Sequence, residues 1–218
     1  MKLANEYLMS GRIDAIRCST RPDCISDEYL EVLNDIKNEY NVEISVEIGL
    51  QTVNYKTLEK INRGHTLAEF VDAVLRVKKY GFDTCAHLIL NLPWDDKTDV
   101  IENAKMLSAL GVKQVKLHCL YIVKNTKMAK MYQDGEFDMG SYFDYADKVI
   151  TFLEYLSPEI VIQRLIGRAK EEHTLFANYS TSWWKIKDSI DAQMEYLDTY
   201  QGRKCDYLNG KCVRKFLT

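Results

Sequence analysis

The sequence predicts an α/β fold, a partial (β/α) barrel with a C-terminal helix. Apolar, strand-like runs alternate along the chain with segments of helical period. Strands separated by helices pair in parallel, because each helical crossover returns the chain to the same end of the sheet. The units recur about every 30 residues, and this regular spacing favours an open or partial barrel over a sandwich.

Local signals place the individual elements. Ser26 is an expected helix N-cap, Gly64 ends a short helix, and Thr66 with Glu69 forms a capping box. The predicted strands, in chain order, are 13–19, 43–51, 83–93, 114–122 and 159–167. The predicted helices are 26–40, 55–62, 66–81, 98–110, 141–156 and 181–200.

Composition narrows the class of protein. The 218 residues are 46% hydrophobic and 28% charged, with a net charge of −3, so no global charge points to nucleic acid or to acidic membranes. No apolar run reaches the roughly 18 residues that cross a bilayer, and the first residues do not resemble a signal peptide. We therefore expect a cytoplasmic protein whose six cysteines are reduced. We predict one body over 1–200 and a basic tail over 201–218.

Polar residues collect where the predicted strands end. Parallel α/β folds bind ligands at the carboxyl ends of their strands. The segments at those ends are Ser19 to Asp23, Gly49 to Thr52, Asn91 to Pro93, Leu120-Tyr121 and Gln163-Arg164. The sequence therefore predicts a ligand site along this edge.

Four segments of this edge carry a family resemblance. They are "STRPDCISDEYL", "VEIGLQTVNYKTLEKINRGHT", "CAHLILNLPWD" and "VIQRLIG". In this order and spacing they resemble successive motifs of the radical S-adenosylmethionine (SAM) enzymes. The similarity extends over about 13–200, and it is to the bacterial YhcC-type family, which is related to the radical SAM domain of the Elongator catalytic subunit.

The resemblance implies a partial (β/α)6 barrel with a [4Fe–4S] cluster that binds SAM and cleaves it to a 5′-deoxyadenosyl radical. It places Gln51 near the SAM ribose and Arg63 at the SAM carboxylate, where a guanidinium can bind both oxygens. Ser19 and His87 occupy strand positions where related enzymes have SAM-contacting carboxylates. Leu120 or Tyr121 would present its backbone to the adenine. No catalytic residue is assigned.

The family's three cluster cysteines lie after its first strand, upstream of the "TRPD" motif. Twelve residues precede the strand "IDAIRCS" here, and none is a cysteine, whereas cluster ligation needs thiolates. We therefore expect the first two strand–helix units of the barrel to be missing from this chain, the cluster ligands to lie upstream of it, and the chain by itself to be inactive.

Three further residues have both a structural and a functional interpretation. Arg21 either forms a local ion pair with Asp23 or belongs to the site. His65 follows Gly64 and is expected to fix a loop by a hydrogen bond rather than to catalyse. Arg164 lies in an apolar strand and needs a partner if it points inward, because burying a lone guanidinium is costly. That partner is the substrate, SAM or an acid across the barrel.

A metal site is geometrically conceivable on neighbouring strands. Cys85 and His87 share one strand face by alternation, and His118 lies on the next strand. Isolated histidines in strands are more often core residues, so no metal ligand is assigned. Cys205 and Cys212, in the basic tail, are expected to lie on the surface.

Three functions follow as alternatives. The first is part of a radical SAM enzyme of unknown substrate, for which the Elongator kinship and the basic tail only hint at RNA. The second is a non-catalytic protein that binds a nucleotide-like ligand, or a partner through an exposed strand edge at 13–19, including a second copy of itself. The third is a metal-dependent hydrolase that uses His87 and His118.

Overall fold

A computed structural model of the protein describes Tyr7, Met9, Ser10 and the ranges 13–167 and 171–205. Its strands are β1 (Ala15–Thr20), β2 (Glu43–Gln51), β3 (Asp83–Ile89), β4 (Gln114–His118), β5 (Ile122–Val123), β6 (Val161–Arg164) and β7 (Thr174–Phe176). Its helices are α1 (Asp27–Tyr40), α2 (Tyr55–Lys60), α3 (Leu67–Lys79), α4 (Lys97–Leu110), α5 (Lys127–Gln133), α6 (Tyr142–Tyr155) and α7 (Trp183–Tyr196).

The main sheet has five parallel strands in the order β1-β2-β3-β4-β6. Each strand is followed by a helix before its neighbour begins, as the alternation of the sequence predicts. The α/β partial barrel is thereby confirmed. Strands β5 and β7 form a separate antiparallel pair.

The structure corrects several predicted boundaries. The strand predicted over 114–122 is divided, because β4 ends at His118 and β5 belongs to the small second sheet. Between them, the backbone N–H of Leu120 donates to the side chain of Asn91 instead of to a neighbouring strand, at 2.6 Å. The strand predicted over 83–93 ends at Ile89, and the strand predicted over 159–167 is shorter at both ends. The sequence did not predict β7 or α5.

The core lies on the convex side of the sheet. Alternate residues of β2, including Ile44, Val46 and Ile48, are at most 1% exposed and belong to one apolar cluster that also contains Phe70 of α3. Helix α3 is held in place by the predicted capping box, in which Thr66 and Glu69 bond each other's backbone N–H. Burial of apolar side chains between helices and sheet therefore leaves the other face of the sheet free for polar groups.

The sheet is strongly curled. Strands β1 and β6 are its two edges, and four spacings of about 4.8 Å would separate them by about 19 Å in a flat sheet. Arg17 of β1 nevertheless donates to Gln163 Oε1 of β6 at 3.1 Å. The free face is therefore concave, and its two edges approach each other as they do in a partial barrel.

Within the described residues, β1 pairs only with β2 and leaves its outer edge unpaired. An unpaired edge can template pairing with another chain, and self-association through 13–19 stays a prediction. No helix in the described part of the chain is long and apolar enough to span a bilayer.

The start of the predicted basic tail packs against the body. Gln201 donates to the carbonyls of Ser157 and Ile160, each at 2.8 Å, and Lys204 pairs with Glu154. The rest of the tail, 206–218, with Cys212, lies outside the described residues, so the boundary at residue 200 stays a prediction. Cys205 is half-buried.

We expect Phe70→Ala to lower the free energy of unfolding by about 3–5 kcal/mol, because it leaves a cavity in a fully buried part of the core. Urea unfolding followed by circular dichroism measures this change. Phe143→Ala is the matched control, since Phe143 is 59% exposed. Equal losses in the two variants would show that Phe70 does not lie in the core.

Candidate functional site

Polar side chains line the concave face of the sheet. Strand register places Gly49, His87, Lys116 and Arg164 in one row across β2, β3, β4 and β6. Side chains of neighbouring strands in one row lie about 5 Å apart and interact directly. This row is therefore the frame of the candidate site.

Glu47 lies at the centre of the concave face. Its side chain is 6% exposed and accepts hydrogen bonds from Ser19 Oγ at 2.9 Å, from His87 Nε2 at 3.2 Å and from Lys116. Burial by itself would raise the pKa of this carboxyl. The hydrogen bonds from Lys116 and Ser19 and the charge of Lys116 outweigh burial, so the pKa lies below its usual value. Glu47 is therefore an ionised, fully partnered carboxylate.

A directional chain of hydrogen bonds leads from Glu47 to Arg164. Because the carboxylate can only accept, His87 Nε2 carries a hydrogen and His87 Nδ1 is an acceptor. His118 Nε2 lies 3.3 Å from that Nδ1 and donates to it. Arg164 Nη2 lies 3.0 Å from His118 Nδ1 and 2.7 Å from Nε2. Arg164 therefore contacts the His118 ring through both of its nitrogens.

This chain requires both imidazoles to be neutral. Burial lowers the pKa of His87, and together with the charges of Lys116 and Arg164 it outweighs the opposing effect of Glu47. Burial, followed by the charges of Arg164, His87 and Lys116, lowers the pKa of His118 to about 3. At neutral pH the two rings therefore connect a cation to an anion without carrying charge themselves.

Gln51 and Arg63 converge on Gly49 at the carboxyl end of β2. Arg63 Nη2 donates to the carbonyl of Gly49 at 3.1 Å. A Cβ at Gly49 would overlap this nitrogen and lie 2.7 Å from Gln51 Nε2. The absence of a side chain at residue 49 is therefore what allows these two polar groups to meet.

Gln51 has an unusual backbone. The register between β2 and β3 shifts between Gly49 and Gln51, and Gln51 has φ of +73°. Positive φ costs an ordinary residue on the order of 1–2 kcal/mol. Such strain is found where the position of a side chain matters for function.

His65 holds Arg63 in this position. Its Nδ1 lies 3.2 Å from the carbonyl of Thr66, which can only accept, so Nδ1 carries the hydrogen. Nε2 then accepts from Arg63 Nε at 2.9 Å. His65 is 6% exposed and acts as the expected loop-fixing donor. Burial lowers the pKa of Arg63, and the charge of nearby Arg21 lowers it further.

Arg21 forms the local ion pair that the sequence suggests. Arg21 Nε donates to Asp23 Oδ1 at 3.0 Å, and Arg21 Nη2 donates to Asp23 Oδ2. Its guanidinium also lies 3.6–3.8 Å from where a Cβ on Gly64 would stand. Arg21 therefore borders the loop that carries Arg63.

The segment that follows β4 is fixed by Asn91. Besides accepting from the backbone of Leu120, the Asn91 amide donates to Cys119 Sγ at 3.1 Å and to the hydroxyl of Tyr179 at 3.0 Å. Asn91 is 5% exposed, and these bonds satisfy both ends of its amide. The backbone of Leu120 and Tyr121 is thereby presented at the edge of the sheet.

Six of the predicted site residues line two separate cavities. Gln51, His87, Leu120 and Tyr121 line a cavity of ≈ 250 Å³ together with His118. Arg63 and His65 line a second cavity of ≈ 390 Å³. Ser19 contacts Glu47, and Arg164 contacts His118. The structure therefore brings all nine predicted residues to the carboxyl edge or to the concave face.

Glu47, Cys85 and His87 offer ligand atoms that lie within 4.8 Å of one another, which is the spacing of a small metal site. Two features oppose metal binding. Lys116 already neutralises Glu47, and burial raises the pKa of Cys85 to about 11, so the thiol stays protonated. His118, the third ligand of the conceivable site, instead bonds His87.

The sequence analysis missed Glu47 and Lys116, and it named Asn91 and Gly49 only as parts of the polar strand ends. The sequence contains a signal for the first two. Glu47 is an acid in the middle of a mostly apolar strand, and Lys116 shares the strand face of His118 by alternation. Buried charges in strands need partners, so these two residues could have been paired from the sequence.

Two protein-family models match this chain. The family model described as "Radical SAM superfamily" matches residues 1–107. A second one, described as "Radical_SAM C-terminal domain", matches residues 112–196. Together they include every residue of the candidate site.

Two curated relatives and one solved structure extend this finding. YtqA of Bacillus subtilis is 33% identical over 188 residues, covering 86% of this chain and 58% of the relative. YhcC of Escherichia coli is 32% identical over 186 residues, covering 85% and 60%. Elp3 of the archaeon Methanocaldococcus infernus, solved with residues 1–46 deleted, superposes with a TM-score of 0.75 at 18% identity, covering 87% of this chain and 43% of that chain. The similarity to Elp3 shows the fold alone. The chain spans about three fifths of the length of the two curated relatives.

The strain at Gln51 predicts a difference between two substitutions. Gln51→Gly and Gln51→Ala both remove the amide, but only glycine relieves the positive φ. We expect the free energy of unfolding of the glycine variant to be about 1 kcal/mol higher than that of the alanine variant. Chemical denaturation of both variants measures this. An alanine variant at least as stable as the glycine variant would contradict the strain.

The pKa of His118 predicts how stability depends on pH. An unfolded histidine takes up a proton near pH 6.5, whereas His118 stays neutral in the fold down to about pH 3. The unfolded state then binds more protons, so the free energy of unfolding falls as pH is lowered from 6.5. We expect His118→Gln to reduce this fall, in urea titrations at pH 6.5, 5.5 and 4.5. Parallel pH dependences in the two proteins would contradict a neutral His118.

Proposed function

Because this chain belongs to the radical SAM superfamily, we propose that it forms the SAM-binding face of an enzyme that cleaves SAM reductively. The convergence of Gln51 and Arg63 over Gly49 carries this proposal. It creates a pair of hydrogen-bonding groups, one of them cationic, at the strand end where ligands bind in parallel α/β folds. A zwitterionic nucleoside such as SAM offers a carboxylate and a ribose to such a pair.

Arg63 binds the SAM carboxylate in this proposal. The bonds to His65 and Gly49 occupy Nε and one Nη2 hydrogen, and they leave the other N–H groups of its five available. A guanidinium already oriented by two bonds loses little conformational entropy when it binds a carboxylate. Gln51 lies beside it and contacts the ribose.

Ser19 and His87 have a different role from the carboxylates of related enzymes. Both bond Glu47, which supplies a carboxylate on the same face. We therefore assign Ser19 and His87 to positioning Glu47, and the negative charge of the site to Glu47 itself. The backbone of Leu120 or Tyr121, held by Asn91, contacts the adenine.

SAM supplies the 5′-deoxyadenosyl radical when it is cleaved by an electron from a [4Fe–4S] cluster. The described cysteines do not fit this cluster. They are Cys18, Cys24, Cys85, Cys119 and Cys205, and within the ranges 13–167 and 172–205 no three thiols gather as a ligand set. We therefore assign the cluster no ligand in the described part of the chain and derive no step through it.

The other two functions of the sequence analysis are weighed by the same geometry. Binding of a nucleotide-like ligand without catalysis uses the same residues and differs only in the fate of SAM. The metal-dependent hydrolase is disfavoured by the ion pair between Lys116 and Glu47. RNA as substrate stays a prediction.

We expect Arg63→Gln to weaken SAM binding by at least about tenfold, because a charge-assisted contact is worth about 1.5–3 kcal/mol. Gly49→Ala should weaken binding as well, since the added Cβ displaces Arg63 and Gln51. Equilibrium dialysis with labelled SAM measures both. Arg203→Gln is the control, an exposed arginine whose side chain donates, among the described residues, to the carbonyls of Leu197 and Asp198.

Wild-type chain that binds no SAM, or equal affinities in Arg63→Gln and Arg203→Gln, would refute the proposed site. Thermal unfolding of each variant separates a lost contact from a lost fold.

A further inference from the structure

Two cations face each other on the concave side of the sheet. Lys116 of β4 and Arg164 of β6 are direct cross-strand neighbours in the register. Like charges directly opposite each other destabilise a sheet. A negative charge placed between them would reduce this repulsion, so a pair of this kind at a candidate site favours binding of an anion.

The pair exists because of an irregularity in β6. Between Val115 and Lys116 the register shifts by one residue, so Lys116 faces Arg164 instead of Gln163. Gln163 and Arg164 consequently both reach the concave side, where Gln163 bonds Arg17 and Arg164 bonds His118. Irregularities of this kind re-aim side chains next to active sites.

The charge of Arg164 is not neutralised within the described residues. Lys116 pairs with Glu47, but no carboxylate in the ranges 13–167 and 172–205 lies within ion-pair distance of Arg164. Its protein partner is the neutral ring of His118, bonded through Nη2. Among the residues that the structure describes, only Nη2 of its guanidinium is bonded, which leaves the other N–H donors for a ligand.

Cations outnumber anions among the described charged groups of this face. The charged groups that act on the Cys85 thiol, in the middle of the face, are the cations Lys116, Arg17 and Arg164 and the single anion Glu47. Glu43 and Asp83 begin β2 and β3, at the opposite end of those strands. A positive region walled by low-dielectric protein concentrates anions.

We propose that Arg164 and Lys116 bind an anionic group of the substrate, a carboxylate or a phosphate. This inference rests on the proposed function, because it assigns a substrate class to the same face. Arg164 supplies the forked donors, and Lys116, which also pairs with Glu47, lies beside it in the register. The position differs from that of the SAM carboxylate, since Arg63 contacts β2 and strands β3 and β4 lie between β2 and β6.

Inorganic phosphate and succinate are the probes, titrated in parallel into the chain at constant ionic strength. Binding is followed by calorimetry and by the ring resonances of His118. We expect one saturable site whose affinity falls by at least about tenfold in Arg164→Gln. Lys113→Gln, an exposed lysine just ahead of β4, should bind within roughly twofold of wild type. The tighter probe identifies the group as phosphate or carboxylate.

Glu47→Gln should change the anion affinity in the opposite direction. It removes the anion that holds Lys116, so we expect tighter anion binding. Absence of a saturable site, or equal losses in Arg164→Gln and Lys113→Gln, would overturn the inference.

A repeat titration with SAM present keeps the two proposals separate. Competition between probe and SAM would assign the anion to the SAM carboxylate site and overturn the inference. Independent binding supports it. If Arg164→Gln loses anion binding but still binds SAM, the proposed function is unaffected. If the chain binds the anion but no SAM, only the proposed function is refuted.

Discussion

The buried carboxylate of Glu47 is the constraint on which the concave face depends. A charge that is only 6% exposed is tolerated when hydrogen bonds and opposite charge compensate its lost hydration. Ser19, His87 and Lys116 provide that compensation from three different strands. Their rotamers are therefore set by one requirement, and a change at any of them leaves a charge incompletely partnered.

Two consequences follow along the sheet. The lone pair left on His87 orients His118, and His118 in turn holds Arg164, so the anionic centre determines where a cation lies on the last strand of the sheet. Toward the carboxyl edge, Gly49 follows Glu47 by two residues on the same strand face. The buried carboxylate and the glycine at the carboxyl edge of the candidate site are thus parts of a single strand, β2.

Ser19 and His87 share one partner across the sheet. Both side chains donate to Glu47, which lies on the strand between theirs. The negative charge of this part of the face is therefore concentrated on β2 and supported by two neutral donors from β1 and β3.

Short-range patterns by themselves determined the strand–helix order, the capping box at Thr66 and the polar carboxyl edge, because alternation and capping depend on neighbouring residues. The family motifs added Gln51 and Arg63. Only the tertiary structure decided that Gln163 and Arg164 share a face, because a register shift depends on the partner strand. It also decided that Lys116 pairs with Glu47, since residues 69 positions apart in sequence meet only when the sheet forms. The location of the polar edge can therefore be predicted from short-range patterns, whereas the partners of its charged residues depend on pairing between strands.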